Sequence, residues 1–134
     1  MKEKKHKTEN PEDIYSRIKS AVLKEQDAEG ELCVVEGLVI SGNKLGREVG
    51  FCTANLELDS YEFLNKGAYI AKVEIAGVMF SGIFILETIH DKASVHLFDF
   101  SEDIYNETLS VSVVKLVNNE LLQDLCLLSS HIRK

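Results

Sequence analysis

The chain has 134 residues, 45% of them hydrophobic, and a formal net charge of −7. That length and apolar content predict one domain with short extensions and a single core. The acidic balance argues against sequence-independent nucleic-acid binding, which needs clustered Lys and Arg, and no apolar run approaches the ~20 residues of a membrane span.

The first nine residues, MKEKKHKTE, carry four Lys and two Glu, which leaves the rest of the chain near −9. So short a basic start, diluted by Glu, reads as a solvated, disordered tail over residues 1–10 and not as a nucleic-acid arm. It lacks the apolar stretch of a secretion signal. Cys33, Cys52 and Cys126 are odd in number and widely spaced, with no C-x-x-C pair, so neither a disulfide framework nor a zinc site is suggested. A reducing cytoplasm is the default location, and a monomer the default state.

Asn10-Pro11-Glu12-Asp13 is a helix start: Asn caps, Pro suits the first helical position, and two acids meet the positive end of the dipole. Ile14, Ile18, Ala21 and Val22 then recur at helical spacing, which predicts a helix over 11–25 inside an N-terminal linker of 11–30. From Leu32 the pattern turns strand-like. CVVEGLVISG is rich in β-branched residues, YIAKVEIAG alternates, VMFSGIFILETI is a longer apolar run with room for a bend at Gly82, SVHLFDF alternates again, and TLSVSVVKLV closes the series. With a short strand near Leu56 these fit an antiparallel barrel or sandwich, since a parallel sheet needs intervening helices for which there is no room. Leu121, Leu122, Leu125, Leu128 and Ile132 then predict a terminal helix over 119–132, laid on a domain spanning 31–134.

Between the first two strands lies SGNKLGREVGFCTANLEL, with Gly42, Gly46 and Gly50 at intervals of four. Glycines allow positive φ and close backbone approach, so successive N–H groups can converge on an anion. Thr53 offers a hydroxyl and Asn55 an amide oxygen, both suited to Mg²⁺ or a phosphate oxygen, and Arg47 can fork onto a phosphate. On these residues alone an ordinary strand connection and a phosphate-holding loop both stand. A P-loop is excluded, because Gly-x-x-x-x-Gly-Lys-Ser/Thr is absent.

The order of motifs narrows the choice. GNKLGREVGFCTANL, KGAYIAKV, VHLFDFSEDIYNETLSV and KLVNNE before a helix resemble the riboflavin kinase (flavokinase) family over about residues 34–132, similar to the kinase domain of bifunctional bacterial FAD synthetases. The family's Gly-Arg-x-x-Gly-Phe-Pro-Thr-Ala-Asn appears here with Cys52 in place of proline. IYSRIKSAVLK is similar to the linker before the kinase domain, and the adenylyltransferase half has no counterpart in this sequence. The resemblance implies a six-stranded Greek-key barrel with a C-terminal helix. It implies ATP under the glycine loop at Gly46, Arg47 and Gly50, Mg²⁺ and phosphate at Thr53 and Asn55, and riboflavin near the loop before the last helix, by Asn118 and Glu120. The implied reaction moves the γ-phosphoryl group to the ribityl 5′-hydroxyl and gives FMN.

The chain also departs from the family pattern. The family's base is a glutamate two residues before the histidine of Glu-x-His, and here Ser94 holds that place before His96. The family's Asn-Ile-Gly-x-Arg-Pro-Thr stretch reads Ile85-Leu86-Glu87-Thr88-Ile89-His90-Asp91, and the arginine of Leu-Arg-x-Glu is Asn118, with Glu120 kept. One rescue follows from a hairpin with Asp91-Lys92 at its tip. If His90 pairs with Ala93, Ile89 faces Ser94 and Glu87 faces His96, so Glu87 projects beside Ser94 as a substitute carboxylate. The plain alternative is an exposed strand glutamate.

His96 itself reads as a packed or hydrogen-bonded residue, Cys52 as a small buried hydrophobe, and the acids of FSEDIYNE as a solvated loop. Three functions remain open: an ATP- and Mg²⁺-dependent riboflavin kinase, a flavokinase-type barrel that binds nucleotide or flavin without turnover, and an interaction domain with a vestigial cleft.

Overall fold

The computed structural model describes residues 10–25, 32–43, 51–59, 64–87, 92–100 and 102–132. The basic tail up to Glu9, together with Gly46, Arg47 and Gly50 of the glycine loop, lies outside them. The elements run α1 (Pro11–Glu25), β1 (Cys33–Asn43), β2 (Phe51–Leu58), β3 (Gly67–Ile75), β4 (Val78–Leu86), β5 (Lys92–Phe98), β6 (Thr108–Leu116) and α2 (Asn119–Ile132). The six strands pair antiparallel and close into a barrel in the order β1-β2-β5-β4-β3-β6. Closure removes the free edges that an open sheet would expose.

Alternation along the strands sorts the core into two parts. Val39, Ala54, Leu56, Ala71, Val73, Phe84, Val95, Leu97, Leu109 and Val111 point inward and fill the barrel. Ile70, Ile83 and Val114 point outward and are roofed by Ile14, Ile18 and Val22 of α1 and by Leu121 and Leu128 of α2. The outer wall is therefore apolar where the helices lie.

Both helices start as their sequences predict. Glu12 N–H donates to Asn10 Oδ1 at 2.8 Å, and Leu121 N–H donates to Asn118 Oδ1 at 2.8 Å, so an Asn side chain meets an orphan amide at each N-terminus. Arg17 ties the helices together by two bonds to Asp124, Nε to Oδ2 at 3.1 Å and Nη2 to Oδ1 at 2.9 Å. The β3–β4 hairpin turns on Ala76 and Gly77, both at positive φ (51° and 83°), with Ile75 paired to Val78. Positive φ at both central residues matches the twist of the flanking strands.

Through the long apolar run β4 is continuous, and Gly82 is paired on both sides, with Ala71 of β3 and with Leu97 of β5. Glycine serves close approach there, since a Cβ at residue 82 would sit 2.6 Å from the His96 carbonyl oxygen and 3.1 Å from Leu97 Cδ2. Backbone cannot yield as a side-chain tip can. Gly82→Ala is expected to cost roughly 1–3 kcal/mol, read from the denaturant midpoint, and an unchanged midpoint would show that β4 and β5 part freely. The β4–β5 register differs from the expected one. Leu86 pairs with Ala93, Ile85 with Ser94 and Ile83 with His96, so Ile85 and not Ile89 stands opposite Ser94, and Ile83 and not Glu87 stands opposite His96. β4 ends at Leu86, where its pairings with Gly67 of β3 and Ala93 of β5 both end, and Ile89, His90 and Asp91 of the expected hairpin lie outside the described residues.

Candidate functional site

Odd-numbered residues of β2 point outward, because Ala54, Leu56 and Leu58 are the ones buried inside. The register then lays two parallel rows of side-chain positions across the wall. One row is Ser41, Asn55, Ser94 and Ile85; the other is Thr53, His96 and Ile83. Thr53, Asn55 and Ser94, separate in the sequence, thus share one patch of outer wall. Each row runs from polar side chains to an isoleucine at the border of the helix-covered face.

Hydrogen bonds run along both rows. Asn55 Nδ2 donates to Ser41 Oγ at 2.9 Å, which spends the amide nitrogen and not Oδ1. Thr53 Oγ1 and His96 Nδ1 share a hydrogen at 2.8 Å. Burial pushes the His96 imidazole down to about 4, so the ring is neutral at pH 7. The named side chains in these rows therefore carry no formal charge.

The far end of β5 is pinned by α1. Tyr15 Oη donates to Asp99 Oδ1 at 2.8 Å and accepts from Asp99 N–H at 2.9 Å. Its ring meets Phe98 edge-on, with centroids 5.6 Å apart. Lys19 pairs with the same carboxylate, and its hydrogen bond is the main cause holding the Asp99 carboxyl below the usual range. Burial, followed by the bond to Asp99, pushes the Tyr15 phenol up. Asp99 adopts φ 55°, a left-handed conformation that Asp tolerates better than most residues.

Thr53, Asn55 and Ser94 come together on this patch, and His96, read from the sequence as a packed or hydrogen-bonded residue, joins them as the hydrogen-bond partner of Thr53. Only the strand register could have revealed that. Glu87 is exposed and lies one residue past the end of β4. Asn118 and Glu120 stand apart, at the junction of β6 and α2. In the barrel order β1 separates β6 from β2 on one side, and β3 and β4 separate it from β5 on the other. The Asn118 carboxamide is engaged as a helix cap; Glu120 is exposed in the first turn of α2. In the FSEDIYNE loop Glu102 and Asp103 are exposed as expected, Asp103 Oδ1 accepts from Tyr105 N–H at 3.0 Å, and Ile104 is buried in the barrel.

Among the described residues no three His, Cys, Asp or Glu gather as a metal site. The donors that do gather, the Thr53 hydroxyl and the Asn55 amide oxygen, are hard oxygens. They fit Mg²⁺, which keeps most of its shell as water and substrate phosphate and takes few protein ligands. No helix among the described residues is long and apolar enough to cross a membrane.

Known proteins agree with this architecture. The family model for riboflavin kinase (flavokinase) matches residues 29–132. The bifunctional riboflavin kinase/FMN adenylyltransferase of Haemophilus influenzae is 34% identical over 122 residues, covering 78% of this chain and 40% of the relative. Its counterpart in Bacillus subtilis is 30% identical over 129 residues, covering 84% and 41%. The chain thus spans about two fifths of the length of these relatives. A crystal structure described as a macrolide-efflux protein from Streptococcus pneumoniae superposes with a TM-score of 0.58 at 26% identity, covering 89% of this chain and 46% of that one. A closed six-stranded barrel, the Thr53-Ala54-Asn55 strand beside Ser94 and His96, and a family match over most of the length lead to one assignment: the chain belongs to the riboflavin kinase (flavokinase) family.

Proposed function

We propose that the barrel binds ATP with Mg²⁺ and riboflavin and transfers the γ-phosphoryl group to the riboflavin 5′-hydroxyl, at a rate held down by Ser94. The observation that carries this reading is the register placing Thr53 and Asn55 directly beside His96 and Ser94 on one outward patch. Thr53 Oγ1 and Asn55 Oδ1 would hold Mg²⁺ and orient the β- and γ-phosphates, with Gly46, Arg47 and Gly50 completing the nucleotide site. Riboflavin would approach from the β6–α2 side, where Glu120 offers a carboxylate and Asn118 its backbone.

The new bond forms between the 5′-oxygen and the γ-phosphorus. The bond from that phosphorus to the β–γ bridging oxygen breaks, ADP leaves, and the hydroxyl proton passes to a base. Such transfer rests on positioning and on charge neutralisation, which Mg²⁺ supplies when bound. Neutral side chains suit the ligand oxygens but supply no proton acceptor at Ser94. Glu87 follows Leu86, whose partner Ala93 precedes Ser94, so it is the candidate substitute base. Its separation from the expected hairpin position is four residues, an even number, which preserves the face on which a strand would carry it.

Ser94 equally supports a second reading, a module that binds nucleotide or flavin without turnover. A chromatographic assay for FMN made from riboflavin and ATP separates the two. Both readings require nucleotide binding. ATP with Mg²⁺ at a hundred times its dissociation constant is expected to stabilise the wild type by about 2.7 kcal/mol, visible as a raised Tm, and Thr53→Ala is expected to lose that response. No shift at millimolar ATP would remove the basis for both.

A further inference from the structure

Thr53 is 43 residues from His96 in the chain, yet Oγ1 and Nδ1 lie 2.8 Å apart across β2 and β5. A threonine on an outward strand face has more than one staggered χ1 well open to it. Only one of these aims the hydroxyl at a given ligand. A bond to a ring that cannot swing selects that well before the ligand arrives. The His96 ring is so restrained: its strand neighbours are Thr53 on one side and the fully buried Ile83 on the other. A hydroxyl has one hydrogen and two lone pairs. If the hydrogen goes to Nδ1, both lone pairs remain for a cation or a phosphate-bound water. Asn55 shows the same device from the other side. Its amide nitrogen is tied to Ser41 Oγ on β1, which turns the question of which amide atom faces a cation in favour of oxygen. Each ligand of the pair is thus oriented by a cross-strand neighbour.

We infer that His96 is a positioning residue for the nucleotide site: its Nδ1 accepts the Thr53 hydrogen and fixes Oγ1 as a ligand for the metal-bound phosphates. The inference rests on the nucleotide reading above, which makes Thr53 a ligand. His96 acts through Thr53, as partners behind metal ligands commonly do.

Asparagine and glutamine separate this role from packing, because Asn carries its polar end about where Nδ1 lies and Gln carries it about where Nε2 lies. Affinity for ATP with Mg²⁺ is measured by titration calorimetry without riboflavin. His96→Gln is expected to lose about three- to tenfold, the worth of one hydrogen bond, and His96→Asn to stay near wild type. In a Thr53→Val background the His96→Gln change is expected to cost no further affinity, because the partner it acts on is gone. A wild type that takes no ATP with Mg²⁺ overturns the nucleotide reading and this inference with it. A wild type that binds, with Thr53→Val weakened and His96→Gln unchanged, overturns the inference alone. So does a double variant whose losses multiply, or His96→Asn falling as far as His96→Gln, which marks a merely structural histidine.

Discussion

Ser94→Glu is expected to raise FMN formation about 10²–10⁴-fold over the wild type, the usual worth of a positioned general base. Position 94 is ready for a carboxylate. It faces outward between Asn55 of β2 and Ile85 of β4, so a side chain there reaches the same patch as the proposed metal and phosphate ligands. Ile85 belongs to the apolar, helix-covered face, and partial desolvation by it would lift a new carboxyl toward the range in which it takes a proton at neutral pH. Exposed Glu87, one residue past the end of β4, adds to that lift as a like charge, while the half-buried position, which lets water reach the group, limits it. Ser94→Gln, of the same size but without proton affinity, is expected to stay at the wild-type rate. If Ser94→Glu folds, binds nucleotide and gains nothing over Ser94→Gln, a missing base is not what limits turnover. Should the wild type itself turn over and Glu87→Gln abolish that activity, the base is Glu87, supplied from the end of β4.

Much of the architecture was legible because it is written in local signals. Asn10-Pro11 and the stripe Ile14, Ile18, Val22 mark α1 to the residue, and the leucines of 121–128 do the same for α2. The β-branched and apolar runs mark five strands and suggest a short one near Leu56, where β2 in fact runs from Phe51 to Leu58. Register was not legible where the apolar run gave no stop. Residues 78–89 read as one apolar run, while β4 ends at Leu86, where its pairings with Gly67 of β3 and Ala93 of β5 also end. The site divides in the same way. Thr53 and Asn55 stand out by residue type within a glycine-rich stretch, and Ser94 stands out by its place before a histidine. His96 as the partner of Thr53, and Tyr15 as the partner of Asp99 84 residues away, follow only from which strands and helices lie side by side. The Asn118 cap has a local signal, Asn immediately before a helix, which its place in the family pattern overshadowed.

The same His96 burial that places a neutral ring beside Thr53 has a cost in acid, expected as a loss of about 3 kcal/mol of folding stability between pH 7.5 and pH 4, without nucleotide or metal. An exposed imidazole in the unfolded chain takes a proton near pH 6.5, while in the folded protein burial delays this until about 4. Between those values the unfolded state binds more protons than the native state, so stability falls as pH falls, and the loss is complete below the folded value. Asp99 acts in a different window. Its carboxyl is held low chiefly by Lys19, so its contribution persists through pH 5 and fades only below the ordinary carboxylate range. Comparing wild type with His96→Asn cancels Asp99 and the remaining histidines, which both proteins share. The variant is expected to hold its stability from pH 7 to pH 4.5 while the wild type declines, a divergence on the order of 10 °C in Tm for a domain of this size. Parallel pH profiles would mean that the ring takes its proton in place, and so that the wall between β5 and the helices admits water more freely than the packing of Ile83 and Phe98 indicates.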